Sequence, residues 1–143
     1  DDYSSCMETH VRLSIYSEKL DYRDITAILR IEPTHFCIKN RELINSRGMK
    51  RIERQHAWFL ESEQFVASKD SRRHFDWLIE KLAPSRDAIS ILQKEEGIKM
   101  SVDCIWYSRG NGGPVLWPEQ MKALADMNLE CGFDVYFFEP TIS

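Results

Sequence analysis

Apolar and polar residues alternate over residues 11–16, with Val11, Leu13 and Ile15 on one side and Arg12, Ser14 and Tyr16 on the other. That period of two predicts a half-buried strand. The next apolar set, Ile25, Ile28 and Leu29, recurs at helical spacing behind Asp21, a suitable cap, with Asp24 three positions further on. The helix must stop near Arg30 and Ile31, because Pro33 pushes Glu32 out of the α region. Residues 35–39 and 56–63 read as strands, the second carrying Trp58, Phe59 and Leu60. Phe75, Leu78, Ile79 and Leu82 form a helical stripe that Pro84 interrupts, Ile89 and Leu92 resume and Gly97 ends. Residues 71–96 therefore read as two successive helices. Residues 40–55, with Arg41, Arg47, Lys50, Arg51 and Arg54 around one glycine, read as solvated loop, and 64–70 as a connector.

The last forty residues are the most informative. Val102, Cys104 and Trp106 alternate with Asp103, Ile105 and Tyr107, and the run Gly110-Asn111-Gly112-Gly113-Pro114 ends that strand. Pro118 and Glu119 suit the first turn of a helix. Met121, Leu124, Ala125 and Leu129 give that helix one apolar side, and Cys131-Gly132 is expected to close it. In the final strand Phe133, Val135 and Phe137 face one way and Asp134, Tyr136 and Phe138 the other. The order of elements predicts an α+β fold: a single mixed or antiparallel sheet of about five strands with helices packed on one face. Residues 1–10 read as a flexible lead-in and 11–143 as one domain, with no internal repeat.

The 143 residues carry a net charge of −4, which disfavours a dedicated nucleic-acid binder and suits a basic partner. Cys6, Cys37, Cys104 and Cys131 are widely spaced, so free thiols and a cytoplasmic location are expected over a disulfide framework. No window is apolar for long enough to predict a membrane span. The chain opens on Asp1 rather than methionine, which fits a removed tag or leader or a trimmed start.

Candidate chemistry is sparse. The loop bearing Asn111, Gly112 and Gly113 sits between a strand and a helix, as a phosphate cradle would. A Walker loop would continue into Lys and Ser or Thr, whereas Pro114-Val115 follows here. His35 and His56 lie in predicted strands as structural histidines, and His74 at a helix start reads as solvated. With His10 they mark no nucleophile–His–acid motif, and the carboxylates Glu61, Glu63, Glu95 and Glu96 suit a solvated surface. No catalytic residue, metal ligand or cofactor is assigned, and a non-enzymatic protein is expected.

A surface remains. If helices cover the side bearing Val11, Val102, Phe133, Val135 and Phe137, the reverse side presents Tyr16, Asp103, Tyr107, Asp134 and Tyr136. Tyrosine combines apolar area with a polar tip, and aspartates can pair with a partner's Lys or Arg. These five residues are the candidate partner-binding set, and a sheet-to-sheet homodimer would use the same ones.

Ile31-Glu32-Pro33-Thr34, His74-Phe75-Asp76-Trp77-Leu78, Ser108-Arg109-Gly110-Asn111-Gly112-Gly113, Pro118-Glu119 and Gly132-Phe133-Asp134-Val135-Tyr136-Phe137 together make a pattern. It resembles the bacterial domain of unknown function 4279 family over about residues 11–139. Arg30 stands where the family pattern has glycine, and Trp117 where it has a small capping residue. The resemblance implies an architecture and a bacterial setting but no activity. By analogy with small acidic bacterial domains, the expected function is that of an immunity protein binding a basic toxin domain. The alternatives are a small-molecule or nucleotide-binding subunit using the loop 110–114, and a self-associating module.

Overall fold

The computed structural model describes residues 4–138. Its elements are β1 (Cys6–Ser17), α1 (Tyr22–Leu29), β2 (His35–Cys37), β3 (Glu42–Ile44), β4 (Lys50–Ile52), β5 (His56–Glu61), α2 (Ser71–Leu82), α3 (Arg86–Gln93), β6 (Lys99–Ser108), α4 (Pro118–Asp126) and β7 (Cys131–Phe137). Five strands form one mixed sheet in the order β2-β5-β1-β6-β7, and β3 with β4 makes a separate hairpin. All neighbours in the large sheet run antiparallel except β6 and β7, which are parallel. A parallel pair needs a crossover, and α4 supplies it. The architecture is α+β, as the order of elements predicts.

The core lies between the sheet and the helices. Val11, Leu13 and Ile15 of β1, Trp58 and Leu60 of β5, and Val102 and Cys104 of β6 pack against Ile25 and Leu29, Phe75, Leu78 and Leu82, Ile89 and Leu92, and Leu124. Every helix thus sits on one face. Asp21 accepts from the backbone N–H groups of Arg23 and Asp24, while Asp24 accepts from that of Asp21, a reciprocal capping box. Pro84 converts the α2–α3 junction into one 3₁₀ turn, Ala83–Ser85.

The sequence expectations need four corrections. β1 begins at Cys6, so residues 6–10 of the expected lead-in belong to the sheet, where they pair with β6. Residues 40–55 form the β3–β4 hairpin rather than loop, turned by Gly48 at φ 76°. α4 stops at Asn128, in the left-handed region at φ 54°, whereas Cys131 and Gly132 open β7. Finally, Phe133, Val135 and Phe137 share the helix side with Cys104 and Trp106 yet stay exposed, because the helix layer ends short of the edge strand.

The left-handed residue after α1 is Arg30, at φ 58° and ψ 35°. A side chain there is strained, and glycine adopts this conformation freely. Arg30→Gly is therefore expected to stabilise the domain by about 0.5–1 kcal/mol, the gain in native strain exceeding the added entropy of the unfolded chain. A higher thermal midpoint checks it.

Candidate partner-binding face

The face without helices is tiled by alternate residues of each strand. β1 contributes His10, Arg12, Ser14 and Tyr16, β5 Ala57, Phe59 and Glu61, β6 Asp103, Ile105 and Tyr107, and β7 Asp134 and Tyr136. Its middle is closed over by its own side chains: Ser14, Ala57, Phe59 and Ile105 are buried. Arg12 lies there with its guanidinium 5.5 Å from the Phe59 ring and 3.8 Å from Glu61.

Four of the five expected partner-binding residues gather at the β6–β7 side. Parallel register sets Tyr107 beside Tyr136, and their rings stack at 5.1 Å. Phe138 adds a third ring 5.9 Å from Tyr107, fixed by its backbone N–H donating to the Ser108 carbonyl. Asp103 and Asp134 lie alongside. Burial, and then the Asp134 charge, pushes the Asp103 carboxyl above its ordinary range, with Arg12 opposing. Gly132 makes room for this carboxyl, since a Cβ there would stand 2.9 Å from Asp103 Oδ1.

Tyr16 does not join them. It pairs with Lys99 at the opposite end of β6, about 26 Å from Tyr107 at ~3.3 Å per residue. There it meets Phe59 edge-on and lines a basin of about 1080 Å³ with Ala57, Phe59 and the hairpin residues Lys50, Arg51 and Ile52. Hairpin charges are partly paired, Arg51 with Glu53 at 3.0 Å and Lys50 with Glu42 at 3.4 Å.

The glycine loop is explained by packing. Gly112 has φ 135°, and a Cβ on it would collide with Ser5. Arg109 N–H donates to the Ser5 carbonyl at 2.7 Å, so the loop clasps the start of β1. Asn111 is exposed, and nothing within 4 Å limits Gly113.

Three further groups were not legible in the sequence. Glu8, His10 and Glu63 bring possible metal-ligand atoms within 4.8 Å of one another, on a largely exposed part of the surface. His74, expected to be solvated, is buried. Its Nε2–H donates to the Ser68 carbonyl at 2.8 Å, which leaves Nδ1 to accept from Ser62 Oγ at 2.7 Å. Ser62 Oγ also accepts from Val11 N–H and is fully buried, so this Ser–His pair ties β1 to α2 and offers no open nucleophile. The third is Gln120, buried at the start of α4 and hydrogen-bonded to Trp117, Arg72 and Asp76. Of the structural histidines expected in strands, His56 accepts from Lys39 N–H, whereas His35 is exposed and stacks on Phe59.

All four cysteines are free. Burial pushes Cys104 up to about 12 and Cys131 up to about 11, far from thiolate reactivity at neutral pH. No helix among the described residues is long and apolar enough to cross a membrane.

Residues 7–138 match the family model described as Domain of unknown function (DUF4279), and the chain belongs to that family. No curated protein and no solved structure matches it.

Proposed function

We propose that this is a non-enzymatic protein-binding domain. Its contact surface is the β6–β7 part of the open face: Tyr107, Tyr136 and Phe138 beside Asp103 and Asp134. The observation that carries the reading is the stacked aromatic pair set beside the Asp103 carboxyl, whose proton affinity is raised first by burial and then by repulsion from Asp134. A folding surface gains nothing from that repulsion, while a partner's Lys or Arg would relieve it on docking. The aromatic rings supply apolar area at low ordering cost. The finer reading is an immunity protein whose partner is a basic toxin domain, supported by the acidic balance of the chain and by this carboxylate pair.

The test has two parts. Asp103→Asn should raise stability by about 0.2–1 kcal/mol, the size of a cross-strand like-charge pair, as measured by urea unfolding. Toxin-like proteins encoded beside the domain's gene are then assayed for binding by calorimetry. Tyr107→Ala should weaken the complex about 30-fold, a loss of roughly 2 kcal/mol, and Asp103→Asn should weaken it with a shallower salt dependence. Affinity indifferent to both changes rejects the surface.

A further inference from the structure

β7 is an edge strand with large apolar side chains on both faces. Phe133, Val135 and Phe137 on the helix side, and Tyr136 and Phe138 on the open side, are each about half exposed. Asp134 is its only charge in the described sheet span Cys131–Phe137. Edge strands normally carry lysines, prolines or bulges that prevent further pairing, and this one has none of them.

The backbone shows how the free edge is arranged. Val102 N–H donates to the Glu130 carbonyl and Phe138 N–H to the Ser108 carbonyl. In a parallel pair bonding groups alternate, so residues 132, 134 and 136 also point theirs at β6. Phe133, Val135 and Phe137 then direct both N–H and C=O outward, away from the domain.

We propose that β7 pairs antiparallel with β7 of a second copy of this chain, about a two-fold axis at Val135, giving one continuous ten-stranded sheet. The register follows from parity and charge. Outward-pointing residues must oppose one another for the ladder to form, which leaves axes at Phe133, Asp134, Val135 or Tyr136. An axis at Asp134 sets two carboxylates face to face. One at Phe133 or Tyr136 leaves less of the described strand overlapped. The axis at Val135 opposes Phe133 with the second copy's Phe137, Val135 with its own equivalent, and Asp134 with the second copy's Tyr136. The helix-side row becomes a closed apolar strip, and each carboxylate meets a phenol.

The area is sufficient. Four half-exposed aromatic side chains and one valine leave about 500 Å² per copy, taking ~200 Å² for a whole aromatic side chain. Pairing two copies approaches about 1,000 Å² before backbone is counted, the lower bound for a specific interface. Such a dimer dissociates on dilution. The proposal does not rest on the partner-binding reading, although Asp134, Tyr136 and Phe138 belong to both surfaces and the dimer would cover part of that face.

Sedimentation equilibrium of the full chain tests it. The expected mass is twice the 16.8 kDa chain, falling toward the chain mass on dilution. Val135→Pro removes an N–H that points away from β6, a change an edge strand tolerates, and Val135→Lys opposes two ammonium groups. Both should remain folded by circular dichroism and sediment as monomers. Mixed Asp134→Cys and Tyr136→Cys chains should give a disulfide-linked dimer under mild oxidation that neither gives alone, because a non-hydrogen-bonded pair brings Cα atoms to ~4.5 Å. A wild type that is monomeric at every concentration, or a dimer that both Val135 variants retain, overturns the proposal.

Discussion

Alanine at Gln120 is expected to lower the unfolding free energy by about 3 kcal/mol and the thermal midpoint by roughly 6–12 °C. Trp117 occupies the N-cap of α4 and has no side-chain oxygen with which to cap it, so this terminus is organised from inside the helix. Gln120 Oε1 accepts from Trp117 N–H at 2.9 Å, while Nε2 donates to the Arg72 carbonyl at 2.7 Å and to Asp76 Oδ1 at 2.8 Å. One buried side chain thereby fixes the start of α4 and fastens it to α2. The Arg72 guanidinium, 4.8 Å above the Trp117 ring, packs the same corner. Alanine removes all three bonds without letting water in freely, and each buried polar group left unmatched costs about 1–3 kcal/mol. Gln120→Glu keeps the bond from Trp117 N–H but turns a carboxylate on Asp76 and on the Arg72 carbonyl. It should be at least as destabilising at neutral pH. Urea unfolding followed by Trp fluorescence checks both, and a loss below about 1 kcal/mol for alanine would contradict this account of the corner.

What could be read in the sequence was local. Asp21 with Asp24, the stripe from Phe75 to Leu82 and the break at Pro84 each state their structure within one or two turns, and α1, α2 and α3 follow them. Alternation assigned the correct sides of β1 and β6. It gives a side and not a place along the strand, which is why Tyr16 shares a face with Tyr107 and yet lies at the other end of it. The Asp103–Asp134 proximity depends on the parallel register of β6 and β7, set by where the crossover through α4 lands, and no residue type encodes that. The hairpin of β3 and β4 was hidden because its residues are largely exposed, so no apolar period marks it. The end of α4 was misplaced for a related reason. Leu129 prolongs the apolar spacing, and both Asn128 and Gly132 could supply a left-handed stop; the chain uses Asn128. Exposure of Phe133, Val135 and Phe137 depends on how far the helix layer extends, which alternation cannot report.

Alanine at Ser62 is expected to cost about 2–4 kcal/mol, since it strips a partner from two buried groups at once, Val11 N–H in the central strand and His74 Nδ1 at the start of α2. The same contact makes the domain sensitive to mild acid. Burial lowers the His74 proton affinity below the ordinary 6.5, and the nearby His10 acts in the same sense, while the bond to the Ser68 carbonyl and the charge of Asp70 oppose it. The native state therefore holds a neutral imidazole at a pH where the unfolded chain already binds a proton. Stability is then full above about pH 7 and falls as pH drops through 6.5 toward the lower native value, because the unfolded state is the one taking up protons. Asp70, held low chiefly by its hydrogen bond from Arg72, and Asp126, held low by Lys122, lose their contributions only below about pH 4, so the two windows separate. His74→Gln should flatten the dependence between pH 7 and 5 and leave the acid limb below pH 4 in place. Thermal midpoints across that range measure it, and an unchanged slope in the glutamine variant would remove His74 as its source.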